Sequence, residues 1–180
     1  MKRALIALTV VAAVAFPAAA AASVAPDTYP STVNFANAPS GAHLSNSSTA
    51  PSCTVGTDLS VTCTAYAIGG VGHTNATLIF TATYTVSVTC TNGGRQLVVA
   101  QGKTVAAPGT PKTISSDKNG QLSVPSASVP APATAGDTGS GSPCPNRNWT
   151  WTVSSVTLDS YSYTLTFDGF NAPVVSNIQG

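Results

Sequence analysis

Residues 77–90 read TLIFTATYTVSVTC, with Thr or Ser at almost every odd position and Leu78, Phe80, Ala82, Tyr84, Val86, Val88 and Cys90 at the even ones. Successive side chains of an extended strand point to opposite sides, so a period of two sorts this segment into an apolar face and a hydroxyl face. That is the pattern of a strand buried on one side in a layered β protein. The question it leaves is what so long a row of threonines is for.

Outward from this stretch the same alternation recurs. Leu59, Val61, Cys63, Ala65 and Ala67 form an odd-numbered apolar face that ends at the glycines of residues 69–72. Asn92-Gly93 is a strong hairpin turn, after which 96–105 returns; the turn at 117–120, Asp-Lys-Asn-Gly, precedes a short strand at 121–124. Later come Trp149, Trp151 and Val153, then Tyr161, Tyr163, Leu165 and Phe167, and finally the stretch from Val174 to Ile178. Glu is absent, Lys and Leu are scarce, and Thr, Ser, Val and Gly abound, a mixture that disfavours helix and suits strands and turns. The pattern predicts an all-β protein, an antiparallel β-sandwich of immunoglobulin-like architecture with two disulfides. No internal repeat of the kind that builds solenoids is visible.

The N-terminus divides the chain. Lys2 and Arg3 precede a 13-residue apolar stretch, Ala4 to Phe16, and then Pro17 and alanines ending at Ala22. A charged start, a short apolar run and a small-residue cleavage pattern make a secretory signal peptide over 1–22, too short to span a membrane. Residues 23–52 read as an N-terminal strand, with Val33 and Phe35 on one side, followed by a loose connector. Residues 53–180 read as the sandwich domain, and within it the Pro, Ala, Ser and Gly of 125–145 read as a flexible loop. The mature chain is expected outside the cell, with no insertion into a membrane after cleavage.

Charge narrows the partners. After cleavage Arg95, Lys103, Lys112, Lys118 and Arg147 face six aspartates, so the net charge is about −1. Without a basic stripe, nucleic acid is not an expected partner, and anionic lipid is equally disfavoured.

Cys53, Cys63, Cys90 and Cys144 are even in number, which in an exported chain points to two disulfides with three possible connectivities. Zinc is the competing use, but spacings of 10, 27 and 54 contain no C-x-x-C pair. The stretch CTVGTDLSVTC at 53–63 reads as a hairpin with a three-residue loop at Thr57, Asp58 and Leu59, which sets Cys53 opposite Cys63. Opposed Cα atoms lie about 4.5–5.5 Å apart, within reach of a disulfide. Cys90 then pairs with Cys144.

Several stretches together resemble a group of small exported β proteins of high-GC Gram-positive bacteria. They are VTCTAYAIGGVGHTNA at 61–76, the C-x-N-G-G at 90–94, the Cys-Pro at 144–145 with a nearby Trp, and YTLTFDGF at 163–170. The likeness spans about residues 52–180. It implies an extracellular bacterial setting and no particular activity.

Candidate binding residues are few. Trp149 and Trp151 share one face if they lie on a strand, about 7 Å apart, and with Tyr161 could stack on consecutive sugar rings. Aromatics more often fill the core. His73 and Asn75 sit beside glycines in a stretch that lacks the helix and Lys of a phosphate-binding loop. The threonine row admits a sharper reading, an array that grips an ordered surface such as ice or crystalline polysaccharide. A single strand is not an array, so the ordinary half-buried strand is the expectation.

For catalysis the sequence offers little. Asp58, Asp117 and Asp159 fall at turns, where Asp commonly bonds neighbouring amides. There is no G-x-S-x-G, no calcium-loop pattern and no metal-ligand spacing. The sequons at Asn46, Asn75 and Asn148 are what chance yields in a chain this rich in Ser and Thr. The expectation is a secreted, non-catalytic structural or interaction protein without a cofactor, whose partner is a polysaccharide or another extracellular protein. A carbohydrate-binding module using the aromatic pair is the alternative, and an inhibitor baited by residues 126–143 a second one.

Overall fold

The computed structural model describes residues 23–45, 47–95, 97–107, 111–132, 144–146 and 148–180. The expected signal peptide, residues 1–22, lies outside them. The strands in chain order are β1 (Thr28–Pro30), β2 (Thr32–Val33), β3 (His43–Leu44), β4 (Ser52–Val55), β5 (Val61–Cys63), β6 (Tyr66–Gly69) and β7 (Ala76–Thr91). They continue with β8 (Leu97–Ala107), β9 (Lys112–Ile114), β10 (Leu122–Val124), β11 (Ala127–Val129), β12 (Thr150–Phe167) and β13 (Val175–Gln179). One 3-10 turn, Phe35–Asn37, follows β2 and is capped by the Asn34 side chain, which accepts from the Ala36 N–H.

Among the described residues all pairing is antiparallel, in three sheets. The largest runs β2-β13-β12-β7-β8, with β9 also on β7; the others are β1-β4-β5-β11 and β10-β6-β3. Their inward residues enter one hydrophobic cluster. From β7 and β12 come Leu78, Phe80, Tyr84, Val86, Val88, Leu158, Tyr161, Tyr163, Leu165 and Phe167. Opposite them stand Cys53, Val55, Val61 and Cys63 from the four-stranded sheet and Tyr66, Ile68, Leu122 and Val124 from the three-stranded one. The expectation of an all-β, antiparallel protein with two disulfides is met, in a sandwich-like arrangement of layers.

The hairpin forms as its local chemistry dictates. Cys53 opposes Cys63 and is bonded to it, with Cα atoms 4.0 Å apart; Cys90 is bonded to Cys144. Gly56 N–H donates to the Ser60 carbonyl, leaving Thr57, Asp58 and Leu59 as the loop. Leu59 takes the left-handed conformation (φ 63°) that closes a three-residue hairpin loop. The Asp58 carboxylate holds that turn, accepting from the Ser60 amide and hydroxyl, and these bonds keep its pKa below the usual carboxylate value.

Three expectations are corrected. The odd-numbered apolar face does not continue past Cys63: Thr64 and Ala65 are exposed, and Tyr66 and Ile68 turn inward as the chain passes from the four-stranded sheet to the three-stranded one. The larger side chains win the core positions over Ala65 and Ala67. The loop expected over 125–145 begins as structure, because β11 pairs with β5 and Ala127, Val129 and Ala131 pack on the core; residues 133–143 lie outside the described residues. Finally, the two alternating runs after Trp149 are one 18-residue strand, β12.

That strand holds its phase by two bulges. Paired with β7, it slips register between Val153 and Ser155 and again between Leu158 and Ser160. The inward set is therefore Trp151, Val153, Val156, Leu158, Tyr161, Tyr163, Leu165 and Phe167, whose spacing of two lengthens to three at each bulge. An extra residue that did not bulge would turn every following side chain over. Both bulged residues are anchored to β7: the Ser154 hydroxyl donates to the Ser87 carbonyl at 3.0 Å, and Asp159 Oδ2 accepts from the Thr85 hydroxyl at 2.7 Å.

Candidate functional site

The residues singled out from sequence do not converge. Trp151 opposes the buried Cys90 and packs half-buried against the core, while Trp149 precedes β12 in a turn closed by its amide on the Asn146 carbonyl. Tyr161 is 2% exposed and stacks edge-on to Tyr29, with its hydroxyl donating to Asn177 Oδ1 at 2.9 Å. It cannot take part in a stacking platform. Burial there pushes the phenol pKa up.

His73 and Asn75 lie beyond the other end of β7 from the tryptophans. His73 is exposed. Asn75 is committed to structure: its Oδ1 accepts from the Ser116 amide and its carbonyl from the Asp168 amide. The nearby open cleft, about 510 Å³, uses the other histidine. His43, Ser45, Gly69, Gly70, Asn119 and Gln121 are among its lining residues. The His43 Nδ1 lies 2.8 Å from the Gly41 carbonyl, so this nitrogen carries a proton and Nε2 is left toward Gly69. Gly70 (φ +74°) has to be glycine, since a side chain there would collide with the Gly41 carbonyl. His43 was not legible as a site residue because only the pairing of β3 with β6 brings it opposite Gly69.

The largest regular feature is the outer face of the long sheet. Along the β7–β12 pair, eight opposed positions point away from the core: Thr91 with Thr150, Thr89 with Thr152, Ser87 with Ser155, Thr85 with Thr157, Thr83 with Ser160, Thr81 with Ser162, Ile79 with Thr164 and Thr77 with Thr166. Every one of these residues except Ile79 is Thr or Ser. The row visible in the sequence thus acquires a second row beside it, supplied by a strand some 70 residues later. The rows are about 4.8 Å apart and side chains along each recur at about 6.8 Å. The strand beyond adds Ser176 and Ile178, opposite Thr164 and Ser162.

No family model, curated protein or solved structure matches this chain. Its chemistry has to be read from its own side chains.

Within the hydroxyl face most groups are unengaged by the protein. Thr85 donates to Asp159 and Thr150 to the Thr91 carbonyl; the other thirteen hydroxyls of the eight pairs make no intramolecular hydrogen bond among the described residues. The four-stranded sheet behaves differently, since its cross-strand hydroxyls bond each other, Thr28 with Thr54 at 3.0 Å and Thr62 with Ser128 at 2.9 Å. The carboxylates with side-chain bonds serve local structure: Asp27 and Asp117 accept from backbone amides, as Asp58 does. Among the described residues no three His, Cys, Asp or Glu side chains form a group that could hold a metal ion.

Proposed function

We propose that this is an exported, extracellular protein that acts by binding rather than by catalysis, with the outer face of the six-stranded sheet as its contact surface. The observation that carries the reading is the double row of Ser and Thr, most of whose hydroxyls make no intramolecular hydrogen bond among the described residues. Ser and Thr have good reason to face water from a strand, but a hydroxyl bonded to its neighbour does that equally well. The resemblance to small exported proteins of high-GC Gram-positive bacteria supports the setting. Two disulfides are at home in an oxidising compartment, and among the described residues no helix is long and apolar enough to cross a membrane.

The test is expression with the native leader in a Gram-positive host, followed by fractionation and N-terminal sequencing. A mature chain beginning near Ser23, retained on the cell envelope or on extracellular polymer, is the expected result. Retention should fall in Thr83→Arg/Ser160→Arg while near-ultraviolet circular dichroism stays native. A chain that remains uncleaved in the cytosol, or whose retention ignores the substitution, sinks the reading.

A further inference from the structure

Resting on that reading, we infer that the hydroxyl face binds a neutral, ordered polysaccharide, laid along the β7–β12 pair. Three features of the face select this partner. The first is charge. Among the described residues Asp159 is the only charged side chain along the double row, and its carboxylate is already occupied by the Thr85 hydroxyl. A face of hydroxyls and methyls with a single carboxylate offers no counter-charge to phosphate or carboxylate groups, and would strip their water without return. The complementary partner is a neutral one, whose hydroxyls can bond a face made almost entirely of hydroxyls.

The second feature is hydrogen-bonding capacity. Each hydroxyl is one donor and two acceptors with a rotatable hydrogen, so a field of free hydroxyls can pair with another field of hydroxyls in either sense. Thirteen such groups repeat along about 48 Å of sheet. Each bond alone is weak, and the length of the row suits a polymer that presents the same group again and again. The threonine side chains are stiff at χ1, which limits the ordering lost on contact.

The third is the distribution of apolar surface. Among the described residues the large hydrophobic side chains that stand exposed, Ile79, Leu97 and Ile178, all lie on this face, opposite Thr164, Thr91 and Ser162. With the threonine methyls they make a surface of alternating hydroxyl and hydrocarbon. A sugar polymer has the same mixture, C–H on its ring faces and hydroxyls at its edges. The two tryptophans form no paired platform on this face, because Trp151 points inward opposite Cys90 while Trp149 precedes the strand. Stacking on a pair of aromatic rings is therefore not what this face offers.

The experiment is sedimentation of the folded, disulfide-intact protein with crystalline cellulose and crystalline chitin, and with a charged insoluble polymer as comparison. Wild-type protein should sediment with at least one neutral polymer and not with the charged one. Thr83→Arg/Ser160→Arg should lower the association constant at least tenfold. Thr81→Val/Thr83→Val, which keeps shape and removes two hydroxyls, should lower it severalfold. Thr54→Arg, on the outer face of the four-stranded sheet, and Trp149→Ala should leave it unchanged. Loss of binding in Trp149→Ala with the Thr83 variants unaffected overturns the inference in favour of an aromatic platform. Failure on all neutral polymers, with envelope retention still abolished by Thr83→Arg/Ser160→Arg, overturns the polysaccharide partner but leaves the binding face standing. Arrest of ice growth by wild-type protein and not by the valine variant, with no polysaccharide bound, reassigns the face to ordered water. Retention indifferent to every variant of the face removes the broader reading as well.

Discussion

Tyr66, Tyr84, Tyr161 and Tyr163 are all buried, yet their hydroxyls have different fates. Tyr84 donates to the Leu59 carbonyl at 3.1 Å, bracing the strained residue of the β4–β5 hairpin, and Tyr161 donates to Asn177. Asn177 in turn donates to the Tyr29 carbonyl at 2.7 Å, so one buried amide ties β13 to β1. The hydroxyls of Tyr66 and Tyr163 lie near each other in the core, and among the described residues neither has a partner in hydrogen-bonding geometry. Removing a satisfied buried hydroxyl costs about 1–2 kcal/mol, whereas removing an unsatisfied one relieves a desolvation penalty. Tyr161→Phe is therefore expected to destabilise the protein by roughly that amount, and Tyr66→Phe to be neutral or to stabilise it by about 1 kcal/mol. Urea midpoints at unchanged slope decide the matter. A Tyr66→Phe protein that unfolds as early as Tyr161→Phe would show that the Tyr66 hydroxyl is bonded after all.

β12 depends on two single residues to stay in phase. Asp159→Ala keeps the residue count and loses only the bond from Thr85, at an expected cost of about 1 kcal/mol. Deleting Asp159 removes the bulge and turns Trp151, Val153, Val156 and Leu158 toward the outer face. Burial of such a side chain is worth about 1.5–3 kcal/mol when complete. Four misplaced together approach the whole stability of a domain, about 5–15 kcal/mol. The deletion is expected to abolish cooperative unfolding while Asp159→Ala lowers the melting temperature by a few degrees. A deletion variant that still melted cooperatively near the wild-type temperature would mean that the strand can re-phase elsewhere. The same strand shows what a sequence discloses. Alternation of Leu78 to Cys90 and of Tyr161 to Phe167 is legible because the period of two acts residue by residue. The hairpin of Cys53 with Cys63 is legible because its closure is local. The jumps at Ser154 and Asp159 look like strand ends in sequence, since only the partner strand distinguishes a bulge from a turn. The second row of hydroxyls was hidden for the same reason: Thr83 meets Ser160 only through a long-range pairing. β11 was hidden by composition, because Ala127 and Val129 earn their place through backbone bonds to β5 more than through apolar bulk.

At the scale of the whole molecule, the core buries four phenols, and this sets its response to alkali. Burial pushes the Tyr84 phenol up to about 12, with the Asp58 charge adding to the shift, and pushes Tyr66, Tyr161 and Tyr163 upward as well. In the unfolded chain each phenol titrates near 10. A group whose folded pKa is raised in this sense holds its proton in the native state, so the unfolded state loses protons first as pH rises. Its contribution to stability is therefore complete below about pH 10 and is progressively lost above it. Several such groups act together, and the protein is expected to lose stability steeply once pH passes about 10 while changing little between about 7 and 9. Tyrosinate absorbance followed alongside near-ultraviolet circular dichroism tests this directly. The buried phenols should ionise in the same step in which tertiary structure is lost. Ionisation of all five tyrosines near pH 10 with the fold intact would show that solvent reaches them in the native state, and that the sandwich is looser than its packing indicates.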